Sequence, residues 1–172
     1  VMERLGQLVK EAIEPAANES ALNLQARAGH VYPDRQCGNS RSASIQDDQG
    51  NVFGSAEVLN DEVNIYVVIS MHNGYFLENI FANFGTTADI PVDGSSMVME
   101  DFMFQDFIPG GKATYTVVFP TASLPVCNDV VLYSVVSQKN MFGQTIATHD
   151  SWMGANPVYN GYFFKYCLAA CN

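Results

Sequence analysis

Near the end of the chain His149, Asp150 and Ser151 stand in a row. They are the base, the orienting acid and the nucleophile of a serine-hydrolase triad. That chemistry needs hydrogen-bond contact from nucleophile to base and from base to acid, about 2.6–3.2 Å at each step. The three residues lie in "QTIATHDSW", residues 144 to 152, which reads as a β-strand. Successive strand side chains point to opposite faces, so His149 and Ser151 share one face about 6.6 Å apart while Asp150 points away. Three adjacent strand residues cannot form a triad, and no G-x-S-x-G elbow surrounds Ser151. The segment is read as the polar end of a strand. No catalytic residue is assigned, and a non-enzymatic protein is expected.

Metal chemistry has equally thin support. His30 and His72 have no second imidazole two or four positions on. "QDDQGN", residues 46 to 51, offers the hard oxygens of Asp47, Asp48 and Asn51, a set that suits calcium. Counting Asp47 as first, however, puts Val58 where an EF-hand needs Glu, and an Asp/Gly/Asn-rich hairpin turn explains the cluster. Neither a metal site nor a cofactor is expected. The four cysteines, Cys37, Cys127, Cys167 and Cys171, lack the paired C-x2-C spacing of zinc sites. An even set of cysteines in an exported chain reads as two disulfides with no free thiol. Three connectivities are open, and the preferred ones join Cys167 and Cys171 each to a distant cysteine, closing long loops.

Aromatic residues make up 12% of the chain and crowd its end. Trp152, Tyr159 and Tyr162 are the candidates for stacking on a sugar ring, the basis of an alternative reading as a carbohydrate-binding module or glycan-active enzyme. Packing of these rings in the core is the competing account. "MVMEDFMFQDFIPGG", residues 97 to 111, reads as an edge strand whose Met and Phe fill the core, followed by a turn at "IPGG".

Two periods organise the chain. Leu5, Leu8, Val9, Ala12 and Ile13 fall on one face of a helix over about residues 2 to 13, which Pro15 limits. "NESALNLQARAG" can resume as a second short helix that ends at Gly29. From Cys37 the period becomes two. Strands are expected over 51–60, 64–71, 75–85, 96–104, 112–119, 129–139, 144–152 and 161–168, with a hairpin at "HNGY". Short strands with a turn every 8 to 12 residues imply an all-β domain, a β-sandwich of jelly-roll or immunoglobulin-like kind with about eight strands. The expected organisation is residues 1–36 as N-terminal helix and connector, and 37–172 as the disulfide-bearing domain.

Charged residues are only 15% of the chain and apolar ones 48%. Residues 1 to 41 balance five basic against five acidic side chains. The remainder sets three lysines against thirteen acids and so carries the whole net charge of −10. That field opposes nucleic acid and anionic membrane surfaces. No apolar run of about 18 residues is present, so no membrane insertion is expected. With disulfides and a start at Val1, an exported, extracellular or cell-surface protein is expected, its signal peptide already removed.

"HNGYFLENIFANFGTTADIP", "TYTVVFPTASLPVCNDVVLYSVVSQ" and "DSWMGANPVYNGYFFKYCLAAC", in that order, resemble secreted cell-surface domains of Bacteroidota-type bacteria. The resemblance spans about residues 37 to 171. It implies an exported all-β module of the kind found in adhesins and lipoproteins, and it carries no catalytic residue across. The function expected is a surface module for adhesion or self-assembly, such as a fibre or filament subunit. Its N-terminal stripe would dock on another copy or a larger assembly, because a helix of about twelve residues is marginal alone in water.

Overall fold

The computed structural model describes residues 24–27 and 30–172. The expected helix over residues 2 to 13, with its stripe of Leu5, Leu8, Val9, Ala12 and Ile13, lies outside the described residues. So does all of the expected second helix except Leu24–Arg27. Those four residues correct the expectation, because they form strand β1 and pair antiparallel with β2, His30–Pro33. Helix propensity is a weak preference that a strand partner overrides.

The remaining strands are β3 (Cys37–Gln46), β4 (Val52–Asn60), β5 (Asn64–Met71), β6 (Tyr75–Asn83), β7 (Val92–Asp93) and β8 (Ser96–Met97). They are followed by β9 (Phe104–Lys112), β10 (Thr114–Pro120), β11 (Cys127–Lys139), β12 (Thr145–Met153), β13 (Asn156–Val158) and β14 (Gly161–Cys167). Among the described residues only two single 3-10 turns, Thr87–Asp89 and Met99–Asp101, interrupt them. The described chain is all-β, as the period-two patterning requires.

Ten of these strands form one antiparallel sheet in the order β10-β5-β4-β3-β12-β11-β14-β13, with β6 on the other edge of β11 and β9 beyond β6. β9 and β10 are separated by Ala113 alone, yet they lie at opposite margins of the sheet. The sheet therefore curls until it nearly closes, with Phe104 and Tyr115 in edge contact at 6.4 Å and the Tyr115 hydroxyl donating to Asp106 across the gap. Hydrogen bonding links these ten strands in one sheet rather than two, with β1–β2 and β7–β8 as separate two-stranded pairs. Its narrowest junction is β3 with β12, paired only at Gln46 with Trp152 and at Ile45 with Met153.

The bend that closes the sheet corrects the expected turn at "IPGG". Gly110 and Gly111 take φ of 78° and 73°, the left-handed region that glycine enters freely. The β6–β9 register jumps from Asn79 opposite Phe107 to Leu77 opposite Lys112. The glycines make a bulge inside β9, which redirects the strand without ending it. The expected strand over 96–104 is also corrected. Residues 96–97 form the short β8, Met99–Asp101 turn as 3-10 helix, and β9 begins only at Phe104. Acids interrupt both faces of that run, and the segment instead crosses the outside of the sheet, where Met97 and Phe102 are buried.

β5 shows how the layers pack. Ile65, Val67 and Ile69 enter the main core, as alternation predicts. Tyr66 and Val68 face outward and are buried too, with Leu59, under Tyr32 of β2. A third cluster lies outside β6, β11 and β12, where Ile90, Met97 and Phe102 cover Val131 and Trp152. Cys37 pairs with Cys171, and Cys127 with Cys167. Among the described residues no cysteine is free. Each C-terminal cysteine reaches a distant one, the preferred reading of the spacing.

Candidate interaction surface

The register places residues of β9, β6, β11 and β12 in rows on the outer face. One row runs Gln105, Phe81, Tyr133, Trp152, and the next runs Phe107, Asn79, Val135, Asp150. The first is an aromatic ladder, with ring centres 5.9 Å apart for Phe81–Tyr133 and 4.9 Å for Tyr133–Trp152. The 84–103 excursion covers much of it. The second row is exposed at its ends, Phe107 and Asp150, and half-buried at Asn79 and Val135 between them. Phe107 is 74% exposed, and Phe81, Gln105, Asp106 and Phe107 line a shallow depression of about 400 Å³ beside it.

At the far end of this face the β11–β12 hairpin presents Met141 and Phe142, 90% and 80% exposed, with Ile146 at 60%. The tip is built to hold them there. Asn140 Oδ1 accepts the backbone N–H groups of Phe142 and Gln144, each at 3.0 Å, and the Asn140 Nδ2 donates to Gln144 Oε1. Gly143 closes the turn with its N–H on the Asn140 carbonyl and a φ of 76°. Beside the tip lies a cleft of about 440 Å³ lined by Asn73, Gly74, Phe76, Lys139, Asn140, Met141 and Gly143. Lys139 Nζ sits 5.0 Å above the Phe76 ring and donates to the Gly110 carbonyl, tying the hairpin to the β9 bend. Sequence reasoning read "NMFG" only as a turn. The available signal was two large apolar residues at a hairpin tip, where polar ones are usual.

His149, Asp150 and Ser151 are divided between the two faces, as strand geometry requires. Ser151 is fully buried, its Oγ 2.7 Å from Ser134 Oγ. His149 stacks on Phe53 at 4.6 Å, and its Nε2 is buried without a hydrogen-bond partner. Asp150, on the outer face, accepts the Tyr133 hydroxyl at 2.6 Å. Burial, and then that hydrogen bond, push the Tyr133 hydroxyl well above the usual tyrosine range.

The calcium candidates Asp47, Asp48 and Asn51 sit in the β3–β4 turn. Asp47 Oδ1 accepts the N–H groups of Gln49 and Asn51, and Oδ2 accepts the Asn51 side-chain amide. The Asn51 side-chain bond is the main cause holding the Asp47 carboxyl below its usual range. The carboxylate is occupied by its own turn. Among the described residues no three His, Cys, Asp or Glu side chains cluster as a metal site would require.

The three glycan-stacking candidates do not form a shared platform. Trp152 is buried and meets Tyr162 edge-on, at 6.5 Å and 68° between planes. Tyr159 is exposed in the two-residue turn between β13 and β14, held at φ 49°. No helix among the described residues is long and apolar enough to cross a membrane. No family model, curated protein or solved structure matches this chain.

Proposed function

We propose that the protein is an exported, non-enzymatic surface module that works by binding another macromolecule, in adhesion or in self-assembly. The observation that carries this reading is the β11–β12 hairpin. A loop fixed by side-chain and backbone hydrogen bonds holds Met141 and Phe142 out in water, away from the core. Exposed single apolar residues are ordinary, but three on one hairpin beside a cleft mark a contact surface. Burying each would contribute about 1.5–3 kcal/mol. Association costs at least about 4 kcal/mol, so the hairpin supports a reversible contact of moderate strength.

The two disulfides support export, since such bonds persist in oxidising compartments. The resemblance to Bacteroidota-type cell-surface domains points the same way. A sandwich-like division is supported by the narrow β3–β12 junction, which leaves β10-β5-β4-β3 facing β12-β11-β6-β9 across the main core. The sequence pattern of Leu5, Leu8, Val9, Ala12 and Ile13 is proposed as a second contact for assembly. Deleting residues 1 to 20, which removes the stripe but keeps β1, is expected to leave a folded monomer that no longer forms higher assemblies. An unfolded product would assign the stripe to this domain's own core. The hairpin is tested by Met141→Ser with Phe142→Ser, expected to keep the melting temperature and abolish attachment or assembly. Unchanged attachment and assembly would refute the reading.

A further inference from the structure

We infer that the β11–β12 hairpin joins two copies of this chain, with the β12 edge over Thr145, Ile146, Ala147, Thr148 and His149 pairing antiparallel with the same edge of a second molecule. The inference rests on the reading of this hairpin as an interface and names its partner.

β12 is paired with β11 from Thr145 to Trp152, but its other edge meets β3 only at Trp152 and Met153. Among the described residues no strand pairs with that edge from Thr145 to Ser151. A free edge presents unpaired N–H and C=O groups, and folded proteins guard such edges with charges, prolines or bulges. β9 is guarded by Asp106, Pro109, Lys112 and its glycine bend, and β10 ends in Pro120. The β12 edge from Thr145 to His149 has neither proline nor a carboxylate, lysine or arginine. Its one irregularity, at Gln138 and Lys139, is on β11.

Charge selects the partner. The molecule carries a net charge of −10, so two copies repel wherever their acidic surfaces meet. From Asn140 to His149 there is no Asp, Glu, Lys or Arg, and this stretch contains three of the most exposed apolar side chains. A cationic partner would be drawn to the acids elsewhere; a neutral, apolar hairpin is where like-charged copies approach at least cost. The sequence also suits a two-fold axis, which makes an interface self-complementary. An axis at Ala147 sets the small alanine opposite itself, Ile146 opposite Thr148 and Thr145 opposite His149. β-Branched side chains in cross-strand pairs favour pairing.

Sedimentation of the full chain over a concentration series, at low and at high salt, tests this. The expected result is a monomer–dimer equilibrium that tightens with salt, as screening relieves like-charge repulsion. Ile146→Lys places two charges at the junction and is expected to weaken the dimer at least tenfold without moving the melting temperature. Association insensitive to Ile146→Lys but lost in Leu5→Ser with Leu8→Ser would overturn this inference and leave assembly through the N-terminal stripe standing. A wild-type chain that stays monomeric at high concentration and high salt would overturn both the inference and the self-assembly reading.

Discussion

Asp61 shows how the fold treats a charge it must bury. It is 7% exposed and accepts the N–H groups of Val63 and Asn64 at 2.8 and 2.6 Å and the Tyr66 hydroxyl at 2.8 Å. Removing that hydroxyl in Tyr66→Phe leaves a buried carboxylate oxygen short of a donor, and a loss of about 1–3 kcal/mol is expected in denaturant unfolding. Gly161 is a steric counterpart. A Cβ there would lie 2.5 Å from the Trp152 ring and 2.6 Å from the Met97 methyl, so Gly161→Ala is expected to cost about 1–3 kcal/mol by overpacking the outer cluster. Tyr66, Tyr115, Tyr133 and Tyr166 all have hydroxyls held above the ordinary value, burial being the largest cause in each case. Their native forms keep a proton that the unfolded chain releases above about pH 10. The unfolded state then binds fewer protons, so stability is full below that pH and falls as pH rises through it. A urea midpoint series from pH 8 to 11 should show a flat region and then a steep decline; a flat profile throughout would contradict the burial of these hydroxyls.

Among the elements, strands with clean alternation were readable from residues alone. β5 is the plainest case, with Ile65, Val67 and Ile69 on the core face and an Asn-Gly turn after it. β9 was not, because its bend depends on Gly110 and Gly111 reaching from β6 on one margin to β5 on the other, a relation no local window contains. The cover formed by residues 84–103 was equally hidden, since Met97 and Phe102 read as core without saying which face they cover. The disulfides act at this scale. Cys37–Cys171 closes 134 residues and Cys127–Cys167 closes 40, the latter directly across β11 and β14. In the chain-entropy account, loss of the first should cost about 1 kcal/mol more than loss of the second, within about 2–5 kcal/mol for either. Paired Cys→Ala variants compared by denaturant melts check the order, and thiol titration of the denatured, unreduced chain should return no free thiol.

On the whole molecule, composition located the acidity and the polar economy of the surface, but the candidate interface was legible only in part. The adjacency of Met and Phe in "NMFG" was visible, whereas the free β12 edge follows from how β3 diverges after Gln46, which is a consequence of sheet closure. The apolar, uncharged hairpin and the unpaired edge lie on the same element, and the proposed contact uses both. Amide hydrogen exchange resolved to single residues, at dilute and at high protein concentration, tests that claim most directly. The account predicts that, within Thr145 to His149, the N–H groups pointing away from β11 exchange rapidly when dilute and become protected when concentrated, while the unpaired rim of β9 does not change. Rapid exchange of the β12 edge at both concentrations, or protection already complete at the lowest, would contradict it.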